Sequence, residues 1–159
     1  MAFPVFVGLT IIAMLTFVVA RKPVHLFEII VLWCTSLQIV DNYIGLLGDD
    51  YKLIIPSSDV LGFLAFDSIR SFLVPAVSIP AIGFASTRRR AAAKWAAGAV
   101  LVAVLVGIEL LAERMNVLDF APSWRRWWSV AFWTGYVIAM FAIRALYRKV
   151  LRKEVNGLP

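Results

Sequence analysis

The feature that most constrains this chain is a set of five long apolar runs, residues 2–20, 24–47, 60–85, 94–112 and 128–147, joined by short links that hold most of the charge. Crossing about 30 Å of hydrocarbon takes about 20 residues at 1.5 Å of rise each, and every run reaches about that length. Hydrocarbon offers no partner to a free backbone N–H or C=O, so a run that crosses it must be helical. The expected fold is therefore all-α: a polytopic membrane protein, one membrane domain over residues 1–159, built as a bundle of five transmembrane helices.

Composition agrees. Of 159 residues, 62% are hydrophobic and only 16% charged. An ordinary soluble domain is about 45–50% apolar and about 25% charged. So little charge cannot cover so much apolar surface in water. The first run has no basic segment before it and no small-x-small cleavage pattern after it, which reads as a retained helix rather than a signal peptide.

The net charge of +6 is not spread evenly. Arg21 and Lys22 fall in the first link, and Arg88, Arg89, Arg90 and Lys94 in the third. Arg148, Lys149, Arg152 and Lys153 fall in the segment 148–159. The second link carries Asp49, Asp50 and Asp59 against Lys52. Basic links stay in the cytoplasm, so the pattern predicts the N-terminus outside, the C-terminus inside and a basic cytoplasmic tail. It speaks for topology and against nucleic acid. The fourth link is mixed: Glu113, Arg114 and Asp119 precede Trp124-Arg125-Arg126-Trp127-Trp128. Tryptophan favours the headgroup level and arginine reaches lipid phosphates, so these five residues read as an interfacial lip, with partner binding as the alternative.

Charges inside the runs are costly, about 2.5–3.5 kcal/mol each at the bilayer centre on insertion scales, so they must pair, neutralise or meet water. Asp41, Asn42, Asp67, Arg70 and Glu109 all fall in the outer half. Asp67 and Arg70 share a helix face at i, i+3. One network of Asp41, Asp67 and Arg70 is expected, with Glu109 at its mouth. Toward the inner side, Glu28 and Arg144 sit at matching depth and are expected to pair, with His25 close by; Arg144 has the alternative of snorkelling to the interface. Pro75 and Pro80 free the carbonyls of Ser71 and Ala76 and predict a kinked helix, with Ser71 and Ser78 available to re-satisfy the backbone. Ala92, Ala96, Ala99, Ala103 and Gly107, facing Gly135 and Ala139, predict close packing of the last two helices through a small-residue stripe.

Few catalytic readings survive. One cysteine, Cys34, and one histidine, His25, exclude a disulfide within the chain and a His-rich metal site. No G-x-S-x-G, H-E-x-x-H or Gly-rich phosphate loop occurs. Two aspartates on neighbouring helices invite a membrane aspartyl protease, but Arg70 beside Asp67 favours a permanently ionised acid. No catalytic residue, cofactor or metal is expected.

The stretch Phe66-Asp67-Ser68-Ile69-Arg70-Ser71-Phe72-Leu73-Val74-Pro75, the Trp124-Arg125-Arg126-Trp127-Trp128-Ser129 entry to the fifth run and Asp41-Asn42-Tyr43 resemble a family of small uncharacterised multi-pass membrane proteins found mainly in spore-forming Firmicutes. The resemblance covers about residues 26–148. It implies a multi-pass architecture in a Gram-positive plasma membrane, and it brings no established activity and no functional residues. The leading expectation is a non-enzymatic structural or accessory subunit whose partners are the bilayer and a second copy or other membrane subunits. The rival is a transporter or channel component for an ion, proton or small solute that uses the outer polar cluster.

Overall fold

A computed structural model describes residues 2–19, 25–56, 59–88 and 90–155. Arg21 and Lys22 of the first link and Arg89 of the third lie outside the described residues. The chain folds as α1 (Ala2–Val19), α2 (Leu26–Ile44), β1 (Ile54–Pro56), α3 (Val60–Ser68), α4 (Val74–Thr87), α5 (Ala91–Arg114), β2 (Leu118–Phe120) and α6 (Arg126–Val155). A π-helical segment, Gly45–Asp50, prolongs α2, and a second, Ile69–Leu73, joins α3 to α4. The result is five helices long and apolar enough to cross a membrane, the third running without a break from Val60 to Thr87.

Pro75 explains the joint in that third helix. A proline has no N–H to give the carbonyl four residues back, and its ring collides with that carbonyl. The backbone widens just before it, and the Val74 N–H reaches back to the Ile69 carbonyl, one residue beyond the α-helical partner. Neither serine expected to repair the helix does so. Ser71 turns its hydroxyl to Asp67 Oδ1 at 3.4 Å, and the Ser78 hydroxyl is buried without a hydrogen bond to backbone. The widened turn does the work instead.

The third helix is the centre of the bundle and its most buried member. Its neighbours are α1, α2, α5 and α6. α1 lies at the periphery against α3 and α4, with Phe6 and Phe17 buried and most of its other large side chains, such as Ile12 and Leu15, exposed. α2 buries Glu28, Leu32, Ser36 and Val40, one residue per turn along a single face. That stripe meets α4 and α6, where the Ser36 and Tyr136 hydroxyls share a buried 2.7 Å hydrogen bond. Polar groups thus sit inside, Glu28, Ser36, Glu109, Ser129 and Arg144 among them, while Ile, Leu, Val, Phe and Trp side chains cover much of the outside. That distribution inverts the soluble rule and suits an apolar solvent.

Two departures from the sequence reading concern boundaries. α6 runs on to Val155, so residues 148–155 continue the last helix instead of forming a free tail. The fold is also not wholly α. β1 pairs antiparallel with β2 in the register Ile54↔Phe120, Ile55↔Asp119 and Pro56↔Leu118. Lys52 and Asn116, each two residues before its strand, take left-handed φ values of 51° and 55° that turn the chain into the pair. Gly48 lies so close to the Ile54 carbonyl that an added Cβ would stand 3.2 Å from it. This pairing puts the second and fourth links at one end of the bundle, here the strand end; Arg88, Arg90 and Lys94 mark the other, the basic end.

The small-residue stripe of α5 does not form the packing seam. α5 and α6 do pack, but the α5 residues buried are Gly98, Leu101, Leu105, Glu109 and Ala112. Across the seam Trp133 donates to Glu109, and Val137 and Phe141 stand over Gly98. Ala92, Ala96, Ala99, Ala103 and Gly107 face outward, and nothing lies near Gly107 or Gly135. Leu101 and Leu105 supply the buried bulk of α5, and at Gly98 an added Cβ would meet Val137 and Phe141 at ordinary contact distance.

Candidate functional site: two ion clusters and a buried carboxylate

The cluster toward the basic end is the more deeply buried. Arg144 and Glu28 are each 2% exposed. Arg144 Nε donates to Glu28 Oε1, and its Nη1 donates to the carbonyls of Ile82 at 2.7 Å and Gly83 at 3.2 Å. Arg148 adds a longer contact to the same carboxylate oxygen, 3.4 Å. One guanidinium therefore ties α2, α4 and α6 together. Its place follows from helix physics: Ile82 and Gly83 belong to the closing turns of α4, where the helix dipole is negative and a carbonyl has a second lone pair to offer, as the Ile82 carbonyl also does to Ser86 Oγ. Arg144 does not snorkel, because α6 carries on past it and its charge is answered inside the bundle. His25 is not part of this cluster; it is exposed at the start of α2, where its carbonyl accepts from the Ile29 N–H.

The second cluster sits nearer the strand end. Arg70 bridges Asp41 of α2 at 3.2 Å and Asp67 of α3 at 2.9 Å, with its guanidinium over the Phe66 ring. The structure brings these three residues together, and Ser71 joins through Asp67. The cluster is only half-buried, with the Asp41 side chain 48% exposed. Asn42 stays at its edge, accepting a 3.3 Å bond from Gln38. Two carboxylates face one guanidinium, which leaves the group formally negative.

Glu109 is not at the mouth of that network. It is buried, and its carboxylate accepts from Ser129 Oγ and Trp133 Nε1, both on α6. Trp124 Nε1 donates in turn to Ser129 Oγ at 3.2 Å. A cavity of about 50 Å³ separates Glu109 from Arg70, with Tyr43 and Trp133 among its walls. It has room for about one or two waters. Asp41 and Asp67 do not line it. A groove of about 320 Å³ at the strand end reaches Glu109 from the other side, past Glu113, Trp124 and Arg126.

The lip residues divide. Trp124 packs inward, stacked on Phe120 and edge-on to Tyr43 and Trp128. Arg125, Arg126, Trp127 and Trp128 are exposed, with Arg126 3.5 Å from Glu113. Ser129 and Trp133 are not among the expected polar cluster, yet they stand four residues apart on one face of α6 and are the donor types that hold a carboxylate. The Ile82 and Gly83 carbonyls carry no side-chain signal at all. No protein family, curated protein or solved structure matches the chain.

Proposed function

We propose that this protein crosses a bacterial cytoplasmic membrane five times, N-terminus outside, and works as a non-enzymatic structural or accessory subunit. Orientation follows from charge: Arg88, Arg90, Lys94, Arg148 and Lys149 gather at the basic end, which the positive-inside rule assigns to the cytoplasm. Lys52, Arg114, Arg125 and Arg126 share the strand end with Asp59, Glu113 and Asp119, so that end is mixed in charge and faces outward, with the two lip arginines as the exception to the rule. The Gram-positive setting comes from the resemblance in sequence and belongs to the same proposal.

The observation that carries the functional reading is the Arg144 clamp. The most deeply buried charge in the described bundle joins three helices, its guanidinium engaged by one carboxylate and two backbone carbonyls. A fixed, fully buried pair specifies which helices are neighbours, the best-attested use of such groups. The outer surface then remains for partners, and the Trp/Arg lip offers the mixed aromatic and cationic groups that interfaces favour. The test is copurification from native membranes after mild crosslinking. Wild type is expected to retain a second copy or another membrane protein, and Arg125→Ala/Trp127→Ala to lose it. Recovery of the bare chain in both would overturn the reading.

A transport role is the second reading, favoured by the half-exposed Asp41–Arg70–Asp67 group and the groove that reaches Glu109. Uptake into liposomes that falls away in Asp67→Asn would establish it. An aspartyl protease is disfavoured: Asp41 and Asp67 both turn to Arg70, and carboxylates joined through a guanidinium do not share a proton.

A further inference from the structure

We infer that the groove between α5 and α6 at the basic end holds one anionic phospholipid of the cytoplasmic leaflet, a reading that rests on the membrane orientation proposed above. The groove measures about 490 Å³, and its lining includes Ala91, Lys94, Trp95, Gly98, Ile138 and Phe141. It exists because α5 presents alanine and glycine there, so nothing beyond a Cβ fills the space beside the larger side chains of α6. From Ala91 to Val102 it follows α5 for about 17 Å, close to the roughly 15 Å depth of one hydrocarbon leaflet. An acyl chain matches that length and apolarity.

Charge selects the headgroup. Lys94 is the one charged residue in the lining, exposed at the mouth beside Trp95, which is 73% exposed. Arg90 and Arg88 stand exposed just before it in sequence. Among the described residues no acidic side chain forms an ion pair with any of these three; Glu28, the buried acid of this half, is already engaged by Arg144 and Arg148. The mouth is therefore cationic and open to a phosphate. A second copy docked here around a twofold axis would set this cationic rim against itself, so a lipid of opposite charge is the better occupant. A basic cluster at the surface draws anionic lipid by about fivefold in affinity per cation.

The test uses the full chain reconstituted in vesicles, with the emission of Trp95 taken as the difference between wild type and Trp95→Phe. Brominated phosphatidylglycerol is expected to quench Trp95 more strongly than brominated phosphatidylcholine at the same mole fraction. The preference should fall about fivefold in each of Lys94→Gln and Arg90→Gln, and further when the two are combined. Ala99→Phe, which fills the groove from an exposed position, should remove the preference while the thermal midpoint stays unchanged. Equal quenching by the two lipids would overturn the inference. So would quenching of Trp127 but not of Trp95, which would mean that protein, such as a second copy, covers the groove. If neither tryptophan is quenched by either lipid, the membrane reading itself fails, which separates the two failures.

Discussion

Arg144 donates to Glu28 across 116 positions of sequence, and the same guanidinium also holds two backbone carbonyls of a third helix. Removing one partner strands the other charge in the interior. Either Glu28→Gln or Arg144→Leu is expected to cost about 3–5 kcal/mol. Replacing both with apolar residues, Glu28→Leu with Arg144→Met, should recover a large part of that loss. Reversible unfolding in mixed micelles measures all three, and additive losses in the double variant would contradict the clamp.

The carboxylate of Glu109 depends on neutral donors. Ser129→Ala and Trp133→Phe each leave one oxygen without its bond, and each is expected to cost about 1–3 kcal/mol. Because they serve one acceptor pair, the double variant should depart from additivity. Thermal midpoints in detergent read the effect. A Glu109→Leu chain, which has no acceptor left, in which Ser129→Ala costs as much as before would argue that the serine acts elsewhere.

Topology is checked with single cysteines in a Cys34→Ser background, since Cys34 is exposed. A maleimide that cannot cross the bilayer should label Asp119→Cys in intact cells and reach Lys149→Cys only after lysis. The reverse result would invert the bundle.

The strand register makes its own prediction. In the same background, Ile55→Cys with Asp119→Cys should form a disulfide on mild oxidation, because these residues are direct partners. Ile55→Cys with Phe120→Cys should not, because a shift of one residue turns a side chain to the other face of the pair. Faster migration without reductant distinguishes them.

Gly98 offers a test of the seam between α5 and α6. A Cβ there would sit 3.7 Å from Val137 Cγ1 and 3.8 Å from Phe141 Cε2, an ordinary contact. Gly98→Ala is expected to be neutral or to stabilise by up to about 1 kcal/mol through helix propensity. Gly98→Leu should push the helices apart and lower the unfolding midpoint. Gly107→Leu, on the outward stripe, should leave it unchanged.

What could be read from the sequence is what depends on one helix at a time. Hydropathy marks the spans because each must satisfy its own backbone. Asp67 and Arg70 meet because i, i+3 is a property of any helix, and Asp41 could be added from depth alone. Partners chosen by rotation about the helix axis were harder. Glu109 has Arg70 at similar depth but faces Ser129 and Trp133, and depth says nothing of facing. The alanine stripe of α5 has the right spacing for packing, yet spacing does not say which of two sides meets the neighbour. The β pair left no trace, since three residues in a short link carry no periodicity. The π-turn at Ile69–Leu73 was half visible: Pro75 announced a defect, but not its form.

The pairing of β1 with β2 limits how the bundle can move. Two connections that would otherwise be independent are fastened to each other, so the ends of α2, α3, α5 and α6 beside them behave like the riveted end of a pair of tongs. Rocking that separates these helices has to open at the far extremity, where Glu28 and Arg144 supply the latch. Parting α2, α4 and α6 at that extremity therefore requires the release of a single buried arginine, and the cost of that release sets how rarely it happens.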